Sequence, residues 1–143
     1  VIDAVIAHIE DPTMVDVSGS ILGIGDIANV TVPAIESLGM SVTKSGRTTG
    51  LTNSGVVVIN PTVNVSCESE CAGSPVSTAT FTNQIVIDNK GSKFLAGGDS
   101  GSLVVENVNK APRAIGLLYA GSSSYAIEGF SVRLVETGKT VAL

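Results

Sequence analysis

Tryptophan is absent from this 143-residue chain, and two tyrosines and three phenylalanines are its whole aromatic content. The core must therefore be built from Val, Ile, Leu and Ala, a composition that favours strands. Basic residues are also scarce: eight Lys and Arg stand against thirteen Asp and Glu, for a formal charge of −5. Phosphate neutralisation and polybasic attraction have too little to act through, so neither a nucleic acid nor a membrane is expected as a partner. No apolar run approaches the length of a membrane span, and the first residues lack the basic start and cleavage site of a signal peptide. The opening "VIDAVIAHIE" begins inside an apolar pattern without methionine, which reads as a piece of a longer precursor. Histidine occurs once, at His8, and cysteine twice, at Cys67 and Cys71. A zinc site would need two more Cys or His ligands than this supply offers, so no metal is expected. The Cys-x-x-x-Cys pair reads instead as a small local disulfide, with two free thiols as the alternative. No cofactor motif is present.

What the chain has in quantity is punctuated strand. From Val42 onward, short apolar segments are separated by Gly, Ser, Asn and Pro at intervals of about ten residues, the pattern of an all-β barrel or sandwich. Candidate strands are "MSVTKSG", "SGVVVINPTVNVS", "FTNQIVIDN", "SGSLVVENV", "PRAIGLLYAG" and "SSYAIEGFS", and the end of the chain could begin with a short helical turn. Residues 11–41, rich in Gly, Pro, Asp and Ser, never settle into alternation and read as a connector.

"GGDSGS", residues 97–102, is the segment with chemical content. A nucleophilic serine works when backbone N–H groups converge on the oxyanion that forms after attack, and adjacent glycines let the backbone turn tightly enough to aim them. Gly-Asp-Ser-Gly is equally ordinary turn chemistry between strands.

Three blocks together resemble a family: "KSGRTTGLTNSGVV" at 44–57, "GGDSGSLV" at 97–104 and "AIGLLYAGSSS" at 114–124. In order and spacing they are similar to the C-terminal half of a trypsin-like (chymotrypsin-fold) serine protease, in the bacterial branch that includes α-lytic protease. The resemblance implies an all-β fold, an antiparallel Greek-key β-barrel that is the second barrel of a trypsin-like double barrel. It implies Ser100 as nucleophile, and the N–H groups of Gly98 and Ser100 as oxyanion hole. Arg47 would pair with Asp99 and so fix the oxyanion-hole backbone. Tyr119, Ala120 and Gly121 would bind substrate main chain by strand addition. The start "VIDAVIA" would supply the triad aspartate, Asp3, with a surface residue near a chain end as its other reading. Two features depart from the bacterial pattern: Ser102 stands where a second glycine is common, and the cysteine pair does not fall on that branch's disulfide positions.

His8 cannot serve as the base that Asp3 orients. In a strand, five positions put the two side chains on opposite faces with backbones about 16 Å apart, and in a helix they diverge by roughly 140°. The family's histidine lies tens of residues before the aspartate, so the chain is expected to lack it and to be inactive alone. The expected division is 1–10 as the last part of the first barrel, 11–41 as interdomain connector and 42–143 as the C-terminal barrel with the nucleophile. The expected function is that of a serine endopeptidase acting on peptide or protein, completed by a missing N-terminal segment that brings the histidine. The resemblance favours an extracellular or cell-envelope location. The alternative is a non-catalytic protease-like domain that binds peptide or a partner along the 116–121 edge.

Overall fold

The structure is a computed structural model that describes residues 10–14, 19–67, 77–91 and 93–129. Asp3, His8 and Cys71, the Cys67 side chain and the expected C-terminal turn lie outside them. Among the described residues, ten strands follow in order: β1 (Ser20–Ile21), β2 (Gly25–Asp26), β3 (Ser41–Gly46), β4 (Gly50–Ile59), β5 (Val63–Cys67), β6 (Ser77–Phe81), β7 (Ile85–Asp88), β8 (Leu103–Glu106), β9 (Ala114–Gly121) and β10 (Tyr125–Gly129). Six of them close into an antiparallel barrel in the order β10-β7-β4-β3-β8-β9, while β1-β2 and β5-β6 are separate hairpins. The all-β barrel expected from the strand spacing is what forms.

The segment "SGVVVINPTVNVS" divides in two. Asn60 takes a positive φ of 58° and Pro61 follows it without an N–H to donate, so β4 ends at Ile59 and β5 starts a separate hairpin. The stretch expected to be a connector also reaches the barrel core. Val32, fully buried, belongs to the barrel core with Val42, Ile85, Ile87, Val104 and Ile115, and its N–H donates to Ala114 O at 2.8 Å. A chain segment with little strand pattern thus contributes one core side chain where it crosses the start of β9.

Glu128 is the anomaly of the core. It lies opposite Ile85 and Leu118 in register and is fully buried, with neither carboxyl oxygen partnered among the described residues. Burial pushes its carboxyl well above the usual carboxylate range, so the folded state keeps a proton that the unfolded chain releases above about pH 4.3. Its contribution is therefore most favourable below that pH and is lost as pH rises toward the folded-state value. Glu128→Leu should abolish this slope and stabilise the domain by about 1 to 3 kcal/mol at neutral pH, because an unsatisfied buried polar group disappears. Urea unfolding at about pH 4 and about pH 7 reads the difference; a variant less stable at both would show that the carboxyl makes a contact worth keeping.

Candidate active site

The β3–β4 hairpin brings "GRTTG" to its tip, and the turn before β8 inserts Asp99 into it. Asp99 is 1 % exposed. Its Oδ1 accepts from the Thr48 N–H at 2.8 Å and the Thr49 N–H at 3.2 Å; its Oδ2 accepts from the Thr49 hydroxyl at 2.7 Å and the Ala96 N–H at 3.1 Å. The cation on this carboxylate is Lys44, whose Nζ lies 3.3 Å from Oδ2 with both side chains fully buried. Lys44 also donates to Gly50 O at 3.3 Å and to the Thr49 hydroxyl, and its ammonium stands 5.8 Å from the centre of the Phe94 ring. Gly46 is needed here for space: a Cβ would fall 2.5 Å from Asp99 Oδ1 and 2.8 Å from Lys44 Nζ. Burial pushes the Asp99 carboxyl up, but the hydrogen bonds from Thr49, Ala96 and Thr48 outweigh it and hold it well below the usual carboxylate range. Its stabilising contribution is thus present above the unfolded value of about 3.9 and lost as pH falls through the folded one.

The expected Arg47–Asp99 pair is not formed. Arg47 sits at the exposed tip of the hairpin and makes no ion pair or hydrogen bond among the described residues. The reason is register. Lys44, still within β3, points into the barrel beneath the Asp99 turn, whereas Arg47 lies beyond the strand end, and the donors already on both carboxylate oxygens leave it no acceptor.

Ser100 is exposed at the mouth of a cleft of about 430 Å³. One wall is Leu95, Ala96 and Gly97; the other runs from Tyr119 to Ser123. Among the described residues, none that lines the cleft is charged. The backbone on either side of Ser100 is held: Asp99 N donates to Ala96 O at 3.1 Å and Gly101 N to Leu118 O at 2.7 Å. Between and before these, the N–H groups of Ser100 and Gly98 have no acceptor among the described residues. Gly98 has φ +96°, a conformation that a side chain resists. Ser102 fastens this turn to β9. Its N–H and hydroxyl both donate to Asp99 O, at 3.0 and 2.6 Å, and its carbonyl accepts from Leu118 N at 3.0 Å.

Sequence reasoning missed Asn89, which fixes the cleft's width. The side chain is 1 % exposed; it accepts from Leu95 N at 2.7 Å and donates to Leu95 O at 3.2 Å and Ser122 O at 2.5 Å, so one amide ties both walls. An Asn just after a short strand reads as turn chemistry, and nothing local distinguishes it. Gly121 permits the close approach of β10, since a Cβ there would lie 2.9 Å from Tyr125 O. Tyr119, Ala120 and Gly121 line the cleft. The β8–β9 register runs from Leu103↔Leu117 to Val105↔Ala114 and stops short of them, so this stretch of β9 runs on beside the Ser100 turn. Tyr119 is committed to packing as well: its hydroxyl donates to Gln84 Oε1 at 2.9 Å and its ring lies 4.9 Å from that of Phe81. Among the described residues, no three His, Cys, Asp or Glu side chains gather as a metal site would require.

A family model described as the Nal1 C-terminal domain matches residues 2–134. The chain belongs to that family. Its description names no protease. Among solved structures, the chain is similar to a glutamic-acid-specific serine protease described as using a novel histidine triad in substrate binding. The identity is 21 %, with 76 % of this chain and 49 % of that one covered, at a TM-score of 0.47. The chain thus spans about half the length of that protease chain. No curated protein matches it.

Proposed function

We propose that this domain carries the nucleophile, oxyanion hole and substrate cleft of a serine endopeptidase. The observation that carries the reading is the pair of unclaimed N–H groups, Gly98 and Ser100, beside an exposed serine at the mouth of an uncharged cleft. Ser100 Oγ attacks the peptide carbonyl, and the developing oxyanion takes hydrogen bonds from those two N–H groups. The proton passes to a histidine supplied from outside this chain and oriented by Asp3, which then returns it to the leaving amine; water resolves the acyl-enzyme. The Tyr119–Gly121 stretch adds the substrate main chain as a strand, and the cleft takes an uncharged side chain on the acyl side. Asp99 and Lys44 touch no substrate. They hold the turn that aims the two donors, and Asn89 sets the cleft width.

A fluorophosphonate probe tests this. In the full-length protein it should label Ser100, and Ser100→Ala should abolish labelling. The isolated 143-residue chain should react at least about a thousandfold more slowly, since no base takes the hydroxyl proton. Equal rates for both proteins, or a probe bound at another residue, would overturn the assignment.

A further inference from the structure

Arg47 is released from Asp99, yet it is not remote from the chemistry. Its guanidinium lies against Gly98, closer to that glycine's Cβ position than van der Waals contact permits, and the Thr48 hydroxyl is 2.6 Å from the same point. Thr48 is itself tied down, donating to Gly97 O at 2.8 Å. The cleft is lined by Gly97 and Ser100 but not by Arg47, Thr48 or Gly98. The guanidinium therefore lies beside the oxyanion-hole glycine and outside the cleft that takes the acyl half of a substrate. A peptide whose carbonyl carbon meets Ser100 must leave on that outer side, where its next residues pass the arginine.

We propose that Arg47 is a specificity-determining residue that binds an acidic side chain on the first or second residue beyond the scissile bond. This rests on the reading of Ser100 as nucleophile. The chemistry fits a carboxylate. The guanidinium offers planar paired donors matched to two carboxylate oxygens, and the buried acid nearest to it already has Lys44, Thr48, Thr49 and Ala96 as partners. In a chain of net charge −5, an exposed arginine at this point is a local reversal of sign, which favours an acidic segment where most of the surface would repel it.

The test uses the full-length protein and two peptides that differ only in Asp-Asp or Asn-Asn at the two residues after the cleaved bond. The ratio of kcat/KM values, acidic over neutral, should be about tenfold at low salt and fall toward one as ionic strength rises. Arg47→Gln should bring the ratio to about one, Arg47→Glu should push it below one, and Arg47→Lys should keep part of it. A ratio unchanged in Arg47→Gln would overturn the proposal. So would an equal fall for both peptides, which would make Arg47 a support of the oxyanion-hole backbone instead. Failure of the nucleophile reading has a separate signature, since the wild-type protein would then neither take the fluorophosphonate nor cut either peptide. In that case fluorescence anisotropy with the same two peptides decides the role of Arg47. Preferential binding of the acidic peptide that Arg47→Gln removes would uphold the carboxylate site, and equal binding of both would overturn it.

Discussion

Lys44→Met is expected to destabilise the domain by about 3 to 5 kcal/mol, because it strands the Asp99 carboxylate in a site that water does not reach. The methionine keeps most of the volume and apolar stem of the lysine, so the loss isolates the charge. In the wild type that carboxylate is balanced by an ammonium 3.3 Å away, with both side chains fully buried. Because Asp99 N, its carboxylate and its carbonyl all fasten the Ser100 turn, labelling of Ser100 in the full-length protein should fall with stability. Denaturant midpoints for Lys44→Met, Asp99→Asn and the double variant form a cycle. The double variant should recover part of the loss, since no unpaired charge remains. Strict additivity of the two single losses would show that the residues do not act on each other.

Gly98→Ala should lower the rate at which a fluorophosphonate modifies Ser100 by about a hundredfold or more, with a stability loss of about 1 to 3 kcal/mol. The φ of +96° cannot hold a Cβ without strain, and that Cβ would press on the Thr48 hydroxyl and the Arg47 guanidinium. Relief requires the peptide to rotate, which re-aims the Gly98 N–H. The measurement is the second-order rate of fluorophosphonate labelling in the full-length protein, set beside Gly101→Ala, which has φ +85° but open space for its Cβ. The two substitutions share backbone strain and differ in what surrounds the new methyl group. Similar rates for both would mean that strain alone, rather than the aim of the Gly98 donor, governs the reaction.

The sequence by itself determined the strand class, and it did so through composition and punctuation. Valine- and isoleucine-rich segments separated by Gly, Asn and Pro can bury their side chains only by closing a sheet, and five of the six barrel strands lie within segments marked by that pattern. It also determined that a tight turn would present Ser100, since the conformations at Gly98 and Gly101 are local properties of glycine. The break at Asn60–Pro61 was not evident in the run, which reads as one strand, although the proline carries a signal for it.

Which cation faces Asp99 was decided only by tertiary structure. Lys44 and Arg47 are three residues apart in one block and carry the same charge, so no local rule separates them. The barrel does, because the inward direction of a β3 side chain is set by its pairing with β4 and β8 and changes where the strand ends. The role of Asn89 has the same origin. Its partners, Leu95 and Ser122, lie on different loops, and only closure of the barrel brings them within reach of one amide. Val32 and Glu128 complete the set: one buried from a segment without strand periodicity, the other a charged type turned inward because its strand neighbours fix the face it occupies. Periodicity is written along the chain, whereas the direction in which a side chain faces depends on strands that are distant in sequence.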